Sequence, residues 1–293
     1  MQSRDGRAAS RALDAHALRV LAVLDSGRPA GRLDLLQLRA HFTPRAKLVF
    51  PSSAAVPLRG ALGFCLPEEI FRPHRDSGPS GLRDAPRPFV LRVRHLDGLT
   101  LAAGESFEIG VNLFAPSLLP VFRSSMQELA ASGLGPGRVP LEAGEVNVAE
   151  KSFDLTAHES YRQLEVTFLT PTEIKGWKTI GLPEFEILAA RVRDRVSALC
   201  TLYGSGEPAL DFRGLAERAR EVHTVSGELT CVRSQRTSSR TGQTHPLSGV
   251  TGSVVYEGEL SEFVPLLRAA CFTGVGRQTV WGHGEIALGT PIS

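Results

Sequence analysis

Between residues 183 and 203, Phe185, Leu188, Val192, Val196 and Leu199 recur at three- and four-residue spacing, which places them on one face of a helix that must bury it. The same periodicity predicts a helix over 118–130 and another over 261–270, where Phe263, Leu266, Leu267 and Ala270 share a face. Residues 57–66 (PLRGALGFCL) predict a short buried helix with Pro57 in its first turn, where a missing N–H costs nothing. Strand patterns occupy 89–93, 106–113, 164–169, 252–256 and 285–288, and 33–50 predicts a strand pair carrying His41. Thr170-Pro171 is expected to end the strand at 164–169, and 73–88, rich in Pro, Gly, Arg and Asp, to form a surface loop. Ahead of all this, residues 1–30 form an Ala- and Arg-rich extension in which Leu13, Leu18, Leu21 and Leu24 suit one amphipathic helix.

The elements repeat in order. A strand at 106–113, a helix at 118–130, the glycine-rich GLGPGR at 133–138 and a short strand form one series. The strand at 252–256, the helix at 261–270, the glycines of 274–284 and the strand at 285–288 form the second. Such a duplication predicts an α+β architecture of tandem ferredoxin-like (RRM-like) domains, one over 31–160 and one over 161–293, the second carrying a C-terminal glycine-rich loop.

That loop lies in FTGVGRQTVWGHGEIAL, residues 272–288. Gly274, Gly276, Gly282 and Gly284 allow positive φ and close approach of the backbone. The stretch lacks the Lys-Ser/Thr ending of a phosphate-binding P-loop, and it runs from helix to strand, the reverse of a dinucleotide site, so no nucleotide cofactor is expected. Arg277, Gln278, Thr279 and His283 instead offer donors suited to a nucleic-acid backbone, with the four glycines beside them. The plainer reading is a helix-to-strand connection with Gly274 as the C-cap.

Composition narrows the classes. The 293 residues are 42% hydrophobic, enough for sizeable cores. No apolar run approaches the roughly 20 residues that cross a bilayer, and the N-terminus lacks a secretory apolar region, so a cytoplasmic protein without a membrane partner is expected. Cys65, Cys200, Cys231 and Cys271 are scattered without metal-ligand spacing, which predicts buried free thiols and no metal site. A net charge of +2 decides nothing, but its distribution is informative. No acidic residue lies between Glu228 and Glu257, while Arg233, Arg236, Arg240 and His245 do, among many hydroxyls. This is a local cationic surface with phosphate donors, or else a polar hairpin loop.

The segment GVGRQTVWGHGEI at 274–286 resembles the terminal glycine-rich loop of the CRISPR-associated endoribonucleases of the RAMP superfamily that process precursor CRISPR RNA. LRGALG at 58–63, SGLRDAPRPFVLR at 80–92, FLTPTEIK at 168–175 and RTSSRTGQTHPLSGVTGSVVYEGEL at 236–260 extend the resemblance along most of the chain. It implies CRISPR repeat RNA as the partner, with other CRISPR-associated proteins as further candidates. It also implies cleavage without metal or cofactor, the RNA 2′-OH attacking the adjacent phosphate to leave a 2′,3′-cyclic phosphate and a 5′-OH. That chemistry needs a general base, a general acid and cationic donors, and histidine suits either proton-transfer role. Many members carry a histidine near the start of the first helix, whereas residues 51–59 here contain none. His245, in the basic segment, and His41 are therefore the catalytic candidates, and His283 is expected to contact RNA backbone. A non-catalytic RNA-binding subunit of an interference complex and an unrelated α+β scaffold are the alternatives.

Overall fold

The computed structural model describes residues 31–71, 85–177, 181–233, 235–237 and 244–289, with backbone alone for 235–237 and 244–246. In chain order the first half runs β1 (Arg32–Pro44), α1 (Ala55–Cys65), β2 (Phe89–Arg92), β3 (Phe107–Leu113), α2 (Leu119–Ser132) and β4 (Leu141–Asp154). Its four strands form one antiparallel sheet in the order β2-β3-β1-β4. The second half repeats the series with β5 (Gln163–Thr172), α3 (Phe185–Tyr203), α4 (Phe212–Ala219), β6 (His223–Val232), β7 (Gly249–Glu257), α5 (Val264–Thr273) and β8 (Ile286–Leu288). Its sheet order is β8-β5-β7-β6, the same permutation of the same βαββαβ unit. The architecture is two ferredoxin-like α+β units in tandem.

Alternation along β1 explains how the halves meet. Leu38, Ala40 and Phe42 face α1 and α2, joining Leu58, Leu62, Phe122, Met126 and Leu129 in the first core. At the other end of β1, Leu33 and Leu35 join Val90, Phe114 and Leu155 in the second core, against Val192, Val196 and Leu199 of α3 and Leu267 and Ala270 of α5. Phe153 and Phe272 meet there with ring centroids 4.9 Å apart. The second unit thus covers one part of the first sheet's outer face. Gln37, Arg39 and His41, further along β1, stay outside both cores.

Several expectations are corrected. Residues 33–50 are not a strand pair: β1 has both edges occupied, by β3 and β4, so Leu48–Val49 pairs with Thr100–Leu101 instead. Thr170-Pro171 does not end β5, which runs on to Thr172. The register steps from Val250 opposite Thr172 to Gly252 opposite Phe168, so the extra residues bulge on β5 and Pro171, among them, is not required as a ladder donor. The strand after 133–138 spans 14 residues rather than being short, whereas its counterpart β8 spans 3. Burial pushes the thiols of Cys200 up to about 12 and Cys271 up to about 11, as expected of packed thiols, but Cys231 is exposed. The helix anticipated in residues 1–30 and most of the loop anticipated at 73–88 lie outside the described residues. Among the described residues, no helix is long and apolar enough to cross a membrane.

Candidate nucleic-acid interface

Helix α5 ends at Gly274 (φ 73°, ψ 171°), the same backbone state in which Gly133 (φ 76°, ψ 164°) ends α2. From there the loop folds against its own protein. The amide of Val275 donates to the Gly284 carbonyl (2.9 Å), that of Gly284 to the Pro171 carbonyl (3.2 Å) and that of Arg277 to the Glu173 carbonyl (3.1 Å). A side chain on Gly276 would overlap the Glu173 carbonyl, one on Gly284 the Val275 carbonyl, and one on Gly282 would come to 2.7 Å from the Ala55 Cβ. The close backbone approach that these glycines permit is therefore made within the protein. Thr279–Trp281 forms a 3₁₀ turn that packs on β2 and α1. The Trp281 ring lies under the Arg59 guanidinium at 3.7 Å, a cation–π contact joining the loop to the first helix.

Of the donors read from this loop, Thr279 and His283 are buried, Gln278 is half-buried and Arg277 is exposed, paired with Glu173 at 2.8 Å. Burial holds His283 below the ordinary histidine range. An unfolded histidine titrates near about 6.5, so between the two values the unfolded chain binds more protons and stability rises with pH. This contribution is complete above about 6.5 and is lost as pH falls through the lower folded value. The urea midpoint of the protein is expected to drop over that window, and to drop less in His283→Gln. An identical pH slope in the two proteins would show that His283 protonates freely where it sits.

The carbonyls at the end of α5 are held by side chains from the first sheet and from α3. Arg92 Nη2 donates to Cys271 (2.9 Å) and Phe272 (2.8 Å), Asn112 Nδ2 to Phe272 (2.8 Å) and Arg195 Nε to Thr273 (2.9 Å). Guanidinium groups suit the negative end of a helix dipole. Desolvation lowers the pKa of Arg92, opposed by Glu285 at 3.8 Å, and burial followed by the Arg92 charge pushes Arg195 below the usual arginine range.

The other sequence candidates lie apart. In the basic segment, Gln235–Thr237 and Thr244–Pro246 form a two-stranded ladder with His245 opposite Arg236. Arg233 is exposed just beyond β6, and Arg240 is outside the described residues. His41 is half-buried on β1, its Nε2 3.3 Å from Asn147 Nδ2, opposite Glu108 on β3.

Sequence reasoning missed a polar cleft of about 200 Å³ on the outer face of the first sheet, at the foot of the glycine loop. Arg39, Arg92, Arg94, His95, Glu108 and Glu285 line it. Arg94 and His95 belong to a 3₁₀ turn that continues β2, and the same turn is tied to the start of α1, where Asp97 Oδ1 accepts the Ala54 amide at 2.7 Å. The RVRHLDG stretch at 92–98 carried the signal, an alternating Arg-x-Arg after an apolar strand. Its meaning needed the partner residues on β1 and β3.

Residues 166–286 match the family model described as CRISPR-associated endoribonuclease Cas6, and residues 64–166 match a model described as an N-terminal domain. No curated protein matches the sequence. A Cas6 product complex shares 18% identity over 87% of this chain and 99% of its own, with a TM-score of 0.60. Thermus thermophilus Cas6 shares 16% over 89% and 100%, with a TM-score of 0.55. A Cas6 substrate mimic complex shares 20% over 88% and 100%, with a TM-score of 0.52. The Cas6 match runs from β5 to the start of β8, and the tandem fold of both halves is that of these Cas6 structures.

Proposed function

We propose that this protein is an endoribonuclease that cleaves CRISPR repeat RNA in the precursor transcript, in the cytoplasm, to give guide RNAs. The observation that carries the reading is the match of residues 166–286, glycine loop included, to the Cas6 endoribonuclease family. The units over 31–160 and 161–293 together present the RNA-binding surface, with Arg233, Arg236, Arg240 and the exposed Arg277 contacting phosphates. Cleavage proceeds without metal by attack of the 2′-OH, with a histidine, His245 or His41, transferring a proton. Other CRISPR-associated proteins are candidate partners, since a Cas6 segment is found in a Cas6-RT-Cas1–Cas2 complex of similar fold.

The test is incubation of the purified protein with the repeat RNA encoded beside its gene, with and without EDTA. Equal cleavage in both, leaving a 2′,3′-cyclic phosphate and a 5′-OH, is the expected result. Loss of cleavage in EDTA, or a 3′-OH product, overturns the metal-free mechanism. One observation favours a second reading, an RNA-binding subunit that does not cut. The first turn of α1 opens with Ala55, Val56 and Pro57 after Ser52, Ser53 and Ala54, with no imidazole. Tight, salt-dependent binding of the repeat with no cleavage under any condition would establish that reading.

A further inference from the structure

We propose that the cleft between the outer face of the first sheet and the foot of the glycine loop is the site that takes the scissile phosphodiester, and that His95 is its general base. The inference rests on the nuclease reading and deepens it by placing the chemistry at residues that the sequence did not single out.

Geometry carries the argument. His95 Nε2 lies 3.1 Å from the backbone carbonyl oxygen of Glu108. A carbonyl only accepts, so this nitrogen carries a hydrogen, and in the neutral ring Nδ1 is left with the lone pair. The bond fixes both tautomer and ring orientation, as a base that must take a proton from a bound hydroxyl requires. On the other side of β3, His41 stands opposite the same Glu108 in the ladder. The His41 ring is instead bonded to Asn147 on β4 and does not line the cleft, which leaves His95 as its imidazole.

The charge balance suits an anion. Arg39, Arg92 and Arg94 line the cleft against two carboxylates, Glu108, held by Arg39 at 3.2 Å, and Glu285, 3.8 Å from Arg92. Arg39 and Arg94 are exposed and free of the core, so their guanidiniums can turn to a phosphate, while Arg92 is committed to the carbonyls of α5. The groups facing His95 are therefore Arg39 from β1, Arg92 from β2, Arg94 and Asp97 from its own turn, Glu108 from β3 and Glu285 from the loop before β8. The step balances with this set and water. His95 Nδ1 takes the 2′-OH proton as the 2′-oxygen bonds to phosphorus, the bond from phosphorus to the 5′-oxygen breaks, and that oxygen takes its proton from water. His95 then returns its proton to the hydroxide so formed.

The experiment uses the full chain, the repeat RNA, and the same RNA with sulfur in place of the leaving 5′-oxygen, which departs without protonation. His95→Gln retains a donor for the Glu108 carbonyl but cannot act as a base. It is expected to slow cleavage of both RNAs by roughly 10² to 10⁴. Arg94→Ala should weaken binding of an uncleavable 2′-deoxy repeat and lower its salt slope by about 0.7. Wild-type rates in His95→Gln, while wild-type protein cleaves, overturn the placement and leave the nuclease reading intact. Selective rescue of His95→Gln by sulfur overturns its assignment as base. A wild-type protein that binds but never cleaves overturns the nuclease reading and this inference together.

Discussion

Gly284→Val is expected to be the most damaging single substitution in the glycine loop, costing about 4 kcal/mol or preventing folding altogether. Gly284 has φ 70°, a state that a β-branched residue avoids, and a Cβ there would overlap the Val275 carbonyl. The same residue donates to Pro171 and accepts from Val275, so displacing it breaks both bonds that tie the loop to β5 and to the end of α5. The loss should then spread, because the preceding turn of the loop, Thr279–Trp281, packs on β2 and α1. Gly137→Ala is the control: a Cβ there meets nothing within 4 Å and the residue has no left-handed φ. Urea unfolding of the two variants checks this. A midpoint for Gly284→Val close to that of Gly137→Ala would show that the loop is not packed as described. The corollary concerns RNA binding. Loss of affinity in a glycine-to-valine variant reports first on the protein's own packing, so it must be read beside a folding measurement.

Arg92→Met is expected to cost about 3 kcal/mol, an effect second only to that of the loop substitution. Methionine fills comparable volume but donates nothing, leaving the Cys271 carbonyl without the Arg92 bond and Phe272 with Asn112 alone. It also strips Glu285, whose side chain is only 19% exposed, of its cationic neighbour. The two costs separate in a double-mutant cycle. Adding Glu285→Gln should recover part of the loss, because the uncompensated carboxylate is removed while the orphaned carbonyl remains. Strict additivity of the two substitutions would mean that Arg92 acts through the helix end alone. Arg195→Met should be milder, since it removes one bond, to Thr273, together with a guanidinium whose charge burial disfavours.

Local pattern was sufficient for much of the architecture. The helical spacing of Phe185, Leu188, Val192, Val196 and Leu199 led directly to α3, and the recurrence of strand, helix, glycines and strand led to two units that share one sheet permutation. Gly133 and Gly274 were legible as equivalent helix ends because the positive φ each takes there is a property of the residue itself. Where local signals met long-range pairing, they were overridden. Pro171 reads as a strand end in isolation, but a bulge on β5 opposite β7 takes it up and lets the strand continue. Residues 33–50 read as a strand pair, yet β1 had no edge left to offer Leu48–Val49.

Chemistry was less legible than fold, for a related reason. A sequence displays a residue's type and its neighbours along the chain, so attention fell on histidines and arginines clustered in one segment, at 233–245 and 277–283. Burial then placed Thr279 and His283 inside the protein and spent the glycines on internal contacts, which no spacing announces. The polar cleft joins Arg39, Arg92, Arg94, His95, Glu108 and Glu285 from four separate stretches of chain. By itself the sequence determined the tandem α+β architecture, the helix-ending glycines and the family resemblance. Only the tertiary structure decided which polar side chains share a cleft, because that depends on strand order, on register and on which half of the first sheet's outer face the second unit covers.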